Sequence, residues 1–218
     1  MIRAVIFDLD GVLVTTDELH YRAWKRLAEE LHITAFTRAD NLRQRGVSRM
    51  ESLEVVLEKA ERRYTEEEKR ALAERKNGYY VESLQALSGE DVLPMAKETL
   101  VKLRAGGTLV AVGSASKNAP FILERIGLLP LCDAVASGFD TARSKPDPEV
   151  FLVAAQKLGV PPALCVVVED ADAGITAGHA GGMVTLGVGP ARENPLADFR
   201  AESLADPALD WGAILLSR

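Results

Sequence analysis

The sequence predicts an α/β fold, a parallel sheet packed between helices, with a block of helices set in after the first strand. Three observations predict it. Short apolar runs end abruptly in polar residues: Val5-Ile6-Phe7 before Asp8, Thr108–Gly113 before Ser114, and Leu164–Val168 before Glu169. Such runs are too short for ordinary helices and apolar on both faces, as strands of a parallel sheet are. From Val92 onward the runs alternate with amphipathic helical patterns. Between the first two strands, by contrast, only helical periodicity is found.

The elements follow in order. Val5–Phe7 forms the first strand, and Asp8-Leu9-Asp10-Gly11 closes it. Thr16 is placed to cap a helix whose first turn holds Asp17 and Glu18. Leu19, Ala23, Leu27 and Leu31 then recur at helical spacing, widened by Trp24 and Ala28. Further helices are predicted over 38–45, 49–61 and 65–86. The last opens on the capping box Thr65-Glu66-Glu67-Glu68, and its stripe reads Ala71, Leu72, Arg75, Tyr79 and Leu84. Helix 95–105 stops at Gly106-Gly107, and strand 108–113 follows. Helix 117–127, strand 134–137, helix 147–158, strand 164–168, helix 172–180 and strand 183–188 complete the alternation. Residues 190–218 are poorly patterned until Trp211–Leu216, which reads as a last helix. The expected architecture is a Rossmann-like parallel sheet core, residues 1–15 and 88–218, with an inserted α-helical cap, residues 16–87.

The 218 residues suit one large domain or a core with an insert, and 47% hydrophobic with 27% charged residues is a globular mixture. A net charge of −6 argues against nucleic acid as a partner but not against small anions, which a few local cations can hold. Cys132 and Cys165 make no disulfide framework and lie in apolar surroundings, so reduced thiols and a cytoplasmic location are expected. Met1 leads straight into the first strand, leaving no room for a signal peptide. No apolar run approaches membrane-spanning length.

In a parallel sheet, all strand ends of one polarity share an edge, and ligands bind there. That edge would hold Asp8, Ser114 and the pair Glu169-Asp170, with Lys145-Pro146 preceding a helix nearby. Two close carboxylates repel unless a proton or a cation settles the charge, and a hard cation such as Mg²⁺ does so with oxygen ligands. Taken singly, these residues have plainer readings: an Asx turn at Asp10, a solvated Lys145, an acidic helix start at Glu169-Asp170. Their convergence at one edge is what points to chemistry.

The stretch Asp8-Leu9-Asp10-Gly11-Val12 resembles the signature of the haloacid dehalogenase-like phosphotransferases. Gly46-Val47-Ser48-Arg49 with Ser52, Arg75-Lys76-Asn77, Ser114-Ala115-Ser116-Lys117-Asn118, Ser144-Lys145-Pro146 and Glu169-Asp170 resemble the β-phosphoglucomutase subgroup of that family. The resemblance runs through most of the chain. It implies Asp8 as nucleophile, Asp10 as general acid/base, and Mg²⁺ held by Asp8, the Asp10 carbonyl, Glu169 and Asp170. Thr16 and His20 would assist catalysis, and Ser114 and Lys145 would hold the transferring phosphoryl group. The substrate would be bound by Asp10, by Arg45, Gly46, Val47, Ser48, Arg49, Ser52 and Lys76 on the cap and by Ser114, Ala115, Ser116, Lys117 and Asn118 on the core, a second phosphate meeting Arg49, Gly46-Val47 and Ser116-Lys117-Asn118. The implied substrate is a small phosphorylated sugar, β-D-glucose 1-phosphate or glucose 6-phosphate, with β-glucose 1,6-bisphosphate as intermediate and activator. A sugar-phosphate phosphatase with the same nucleophile is the alternative. A monomer is expected, as is cap motion about hinges near 14–17 and 83–88. Three positions depart from the subgroup's pattern: Thr15 stands in place of Asp, Arg45 of Lys, and Ala171 of Ser. His32 and His179 take structural readings.

Overall fold

A computed structural model describes residues 1–44 and 47–217 of the chain. Strand β1 (Ala4–Phe7) is buried along its whole length because it lies inside the sheet. It pairs in parallel with β2 (Leu109–Gly113) on one side and β4 (Cys165–Glu169) on the other. Strand β3 (Ala134–Ala136) extends the sheet beyond β2, and β5 (Val184–Val188) and β6 (Phe199–Ala201) extend it beyond β4. All six strands are parallel, in the order β3-β2-β1-β4-β5-β6. Strand pleating sends alternate side chains to opposite faces. Val5 and Phe7 join Val110, Val112, Val166 and Val168 in one apolar layer. Ala4 and Ile6 join Ala111, Cys165 and Val167 in the other.

Between β1 and β2 the chain forms helices α1 (Asp17–Glu30), α2 (Arg38–Leu42), α3 (Arg49–Leu57) and α4 (Glu66–Leu84). They bury a cluster of their own, centred on Trp24, Leu27, Phe36, Leu53, Val56 and Leu72 and distinct from the layers on the sheet. The predicted box at Thr65 is present, with Thr65 Oγ1 accepting from Glu68 N and Glu68 Oε2 accepting from Thr65 N. The outgoing and returning segments run side by side: Val14 forms an antiparallel bridge with Val92, and Leu93 N donates to Leu13 O at 2.9 Å.

Helices α5 (Ala96–Ala105) and α6 (Ala119–Arg125) cover the first layer through Leu100, Leu103, Ile122 and Leu123. Helix α7 (Glu149–Leu158) covers the second through Val150, Phe151, Ala154 and Ala155. Helix α8 (Asp172–Ala180) adds Ala177 to that side, and α9 (Trp211–Leu216) adds Ile214 to the first. No helix among the described residues is long and apolar enough to cross a membrane.

The elements agree with the sequence reading at three places less well than elsewhere. Strand β6 lies inside the stretch read as unpatterned. It has only three residues at the sheet edge, and its central Arg200 is exposed, so no alternation marks it. Thr16 precedes α1 but makes no side-chain cap, because its hydroxyl is bonded to Asp10. The buried face of α4 runs through Leu72, Ala73, Lys76, Tyr80 and Leu84, one residue on from the Arg75 and Tyr79 of the predicted stripe. Hydropathy misplaces that face because a lysine occupies it.

Phe151 is fully buried against the second layer of the sheet. Phe151→Ala should lower stability by about 3–5 kcal/mol, read from urea unfolding, through lost burial and the cavity left behind.

Candidate active site

The carboxyl ends of β1 and β4 lie side by side where the strand order reverses, the place at which open α/β sheets bind ligands. Asp8 follows β1 and Glu169 ends β4. Lys145 reaches between them from the loop before α7, donating to Asp8 Oδ1 at 2.5 Å and to Glu169 Oε1 at 2.6 Å. All three side chains are buried. Burial disfavours the Lys145 ammonium, but Asp8 and Glu169 together more than offset it, and its pKa is raised. Burial pushes Glu169 up to about 7, with Asp8 adding to the rise and Lys145 opposing it. We take the ion pair as formed, since the short contacts to Lys145 hold both carboxylates in place.

Asp170 completes the group: oxygens of Asp8, Glu169 and Asp170 lie within 4.8 Å of one another. Oxygens of three carboxylates gathered this closely are the ligands that a hard divalent cation takes. The donor set therefore fits Mg²⁺. Two glycines make the loop possible. Gly11 has φ +79°, and a Cβ there would collide with the Asp170 carboxylate; a Cβ at Gly174 would collide with that of Glu169. The Asp10 side chain is outside this cluster.

Asp10 instead meets Thr16. Thr16 N donates to Asp10 Oδ1, and Thr16 Oγ1 donates to Asp10 Oδ2, both at 2.6 Å. Tyr80 Oη lies 2.8 Å from Thr16 Oγ1 and, with that hydroxyl's proton given to Asp10, is the donor there. Asp10 keeps some surface on the cleft yet sits deep beneath the protein surface. Burial pushes its pKa up to about 6, against the lowering effect of the Thr16 hydrogen bonds. A carboxyl poised there can give or take a proton near neutrality.

His20 stacks on Tyr80, ring centroids 3.9 Å apart, and its Nδ1 lies 2.8 Å from Lys76 Nζ. The Lys76 ammonium also lies over the Trp24 and Tyr80 rings. Burial first, then the neighbouring cations, lowers the pKa of His20 well below its ordinary value. Lys76 is lowered by burial and by Arg49. A neutral His20 accepting at Nδ1 carries its proton on Nε2, which makes that nitrogen a donor. Arg49, at the start of α3, donates through Nη1 to Glu74 Oε1 at 2.6 Å.

On the core side, the loop after β2 is held by its own serines. Ser116 N donates to Ser114 Oγ and Asn118 N to Ser116 Oγ, both at 3.2 Å. Because the serine oxygens accept, their hydroxyl protons are left to donate to a ligand. Asn118 Nδ2 also donates to Asn77 Oδ1 on α4 at 3.0 Å, joining core to cap.

These residues line one cleft of about 720 Å³ between sheet edge and helices, which takes in Asp8, Asp10, His20, Val47, Ser48, Arg49, Ser52, Lys76 and 114–118. Ser48 spends its oxygen capping α3, accepting from Glu51 N. Thr16 lies behind Asp10 rather than on the cleft wall. Arg45 and Gly46 lie outside the described residues. The sequence reading did not single out Tyr80 and Glu74 as site residues. Tyr80, four residues after Lys76 on α4, was within reach of helical spacing; Glu74 carried no signal among the other acidic residues of that helix.

A family model described as haloacid dehalogenase-like hydrolase matches residues 2–182. The chain belongs to that family. It is 41% identical over 210 residues to a beta-phosphoglucomutase of Bacillus subtilis, covering 95% of this chain and 92% of the relative. A crystal structure of a beta-phosphoglucomutase from Clostridium difficile superposes with a TM-score of 0.91 at 37% identity, covering 98% of this chain and 96% of that one. A phosphorylated carbohydrates phosphatase of Thermotoga maritima is 31% identical over 182 residues, covering 83% and 82%.

Asp10 has a folded-state pKa of about 6 against an ordinary 3.8, so its ionisation in the folded protein costs stability as pH rises through 6, a cost absent below 4. Asp10→Asn should therefore raise Tm by a few degrees at pH 8 relative to wild type and leave it nearly unchanged at pH 4. Differential scanning calorimetry at both pH values checks this. Thr16→Val removes a hydrogen bond that lowers the Asp10 pKa. The Asp10 titration, followed by carboxyl NMR, should move above 6 in that variant.

Proposed function

We propose that the chain is a Mg²⁺-dependent β-phosphoglucomutase, interconverting β-D-glucose 1-phosphate and D-glucose 6-phosphate through an aspartyl phosphate on Asp8. β-Glucose 1,6-bisphosphate serves as intermediate and activator. The observation that carries this reading is one cleft lined by two sets of groups suited to phosphate. One set is Asp8, Lys145 and Ser114; the other is Arg49, Lys76 and Ser116, Lys117 and Asn118. A phosphatase needs only the first. The relatives named beta-phosphoglucomutase support the same choice.

Asp8, Glu169 and Asp170 would hold Mg²⁺, which supplies charge neutralisation at the transferring phosphoryl group. Lys145 donates to Asp8 Oδ1 and aims the carboxyl group. The Asp8 oxygen not bonded to Lys145 attacks phosphorus, and the bond from phosphorus to the leaving sugar oxygen breaks. Asp10, protonated, gives its proton to that oxygen. In the second half-reaction it takes the proton of the attacking sugar hydroxyl as that oxygen bonds to phosphorus and the acyl-phosphate bond breaks. Thr16 fixes the Asp10 carboxyl through both oxygens. His20 Nε2–H and the Ser114 and Ser116 hydroxyls offer donors to the sugar and its phosphates.

Residues 16–87 are read as a cap and 1–15 with 88–218 as the core. The separate apolar cluster of the helices and the paired segments at Val14 and Val92 support that division. A cap moving about residues 14–17 and 83–88 would admit the sugar, exclude water during transfer and let the bisphosphate turn around.

Arg49 decides between mutase and phosphatase. Losing a charge-assisted hydrogen bond to phosphate costs about 1.5–3 kcal/mol, so Arg49→Ala should depress β-glucose 1-phosphate turnover by roughly tenfold or more. Phosphorylation of Asp8 by acetyl phosphate, which has no distal phosphate, should be nearly unaffected. The assay couples glucose 6-phosphate to its dehydrogenase and runs both anomers. Release of glucose and free phosphate, or an equal loss in both reactions, would replace the mutase by the phosphatase.

A further inference from the structure

The cleft contains a carboxylate that the proposed chemistry does not use. Its described acidic lining consists of Asp8, Asp10, Glu169 and Asp170 at the sheet edge, Asp17 at the start of α1, and Glu74. The first five surround the reacting end. Glu74 stands apart on α4, bonded to Arg49 at 2.6 Å. It comes from the same helix as Arg70, Lys76 and Asn77, which also line the cleft. The Glu74 side chain is 68% exposed and that of Arg49 20%, so the carboxylate stands on the rim and the guanidinium farther in. Glu74 thus neutralises the cation that a distal phosphate would use.

We infer that Glu74 is a specificity-determining counter-anion that competes with the distal phosphate of the sugar for Arg49. The inference rests on the proposed role of Arg49 at a second phosphate site. A carboxylate and a phosphate drawn to one guanidinium repel each other, so the phosphate binds when Glu74 swings outward. The Glu74 side chain is 68% exposed, so the swing carries it toward solvent, and an ion pair at such a rim contributes little to stability. The cost of displacing Glu74 weakens every ligand carrying a distal phosphate. Such weakening has a use in a mutase. The bisphosphate intermediate must leave this end of the cleft and return reversed, and a phosphate held too tightly by Arg49 would stay. Glu74 is available to take back the guanidinium as the phosphate departs.

The test measures binding of β-glucose 1,6-bisphosphate with Mg²⁺ by calorimetry, using the full chain carrying Asp8→Asn so that no phosphoryl transfer occurs. Adding Glu74→Gln should tighten binding by about three- to tenfold, in keeping with the modest strength of an exposed charged pair. In the chain with Asp8 intact, the same substitution should lower KM without raising kcat, whereas Arg49→Ala raises KM. On an Arg49→Ala background Glu74→Gln should have no effect, because the competition is for that guanidinium. Weaker or unchanged binding in Glu74→Gln would overturn the inference, the former making Glu74 a support for Arg49. An equal gain with and without Arg49 would overturn it too, reducing Glu74 to a general repulsive charge. Should Arg49→Ala leave bisphosphate binding untouched, the second phosphate site itself would be wrong, a failure separate from that of Glu74.

Discussion

Lys145 held between Asp8 and Glu169 is the contact on which the rest of the site depends. Carboxylates at the ends of two adjacent, fully buried strands would repel each other and lose their hydration. One buried ammonium offsets both costs and fixes the direction of each carboxyl group. The surrounding chain makes room for it. Gly11 and Gly174 leave the space that the carboxylates of Asp170 and Glu169 occupy, and the apolar layers on both sides of the sheet keep the strand ends rigid. The oxygens of Asp8, Glu169 and Asp170 gathered there are of the kind that a hard cation takes.

Asp8 and Asp10 are two residues apart and face different surroundings. Asp8 is tied to an ammonium; Asp10 is tied to a threonine and is otherwise desolvated. The ammonium fixes the direction of the Asp8 carboxyl group. Neutral donors in a buried place favour a carboxyl that exchanges its proton near pH 6. The Tyr80 hydroxyl extends this second arrangement into α4, where the same ring packs on His20 and beneath Lys76. Asp10 is therefore connected, through Thr16 and Tyr80, to the helices inserted after β1.

The far end of the cleft follows a different principle. Lys76 is buried among aromatic rings beside a neutral histidine, and Arg49 raises the local positive potential further. This end attracts anions by crowding cations, and Glu74 is the carboxylate that moderates it. In the proposed function, one small cleft would hold two phosphates, with Glu74 loosening the one at Arg49.

The strands, their helices and the helical insert were legible in the sequence because each follows a local rule: apolar runs of strand length, helical spacing, glycines at helix ends and a threonine-glutamate box. Asp8, Ser114 and Glu169-Asp170 were legible for the same reason, since polar residues closing buried strands must share one edge of a parallel sheet, and Lys145 was legible through the resemblance of its Ser144-Lys145-Pro146 segment. Local rules did not reach β6, whose three residues carry no alternation and become a strand only by pairing with β5. Nor did they reach the true buried face of α4, where Lys76 and Tyr80 turn inward because His20, Trp24 and Thr16 receive them. The hydroxyl of Thr16 was read as a helix cap, and only the fold brings the Asp10 carboxylate to it. The partnership of Arg49 with Glu74 joins two consecutive helices through residues 25 positions apart, which no local pattern pairs. Hydropathy and spacing are properties of a segment, and they determined which elements form. Which polar groups meet depends on how those segments are brought together, and that was decided by tertiary packing alone.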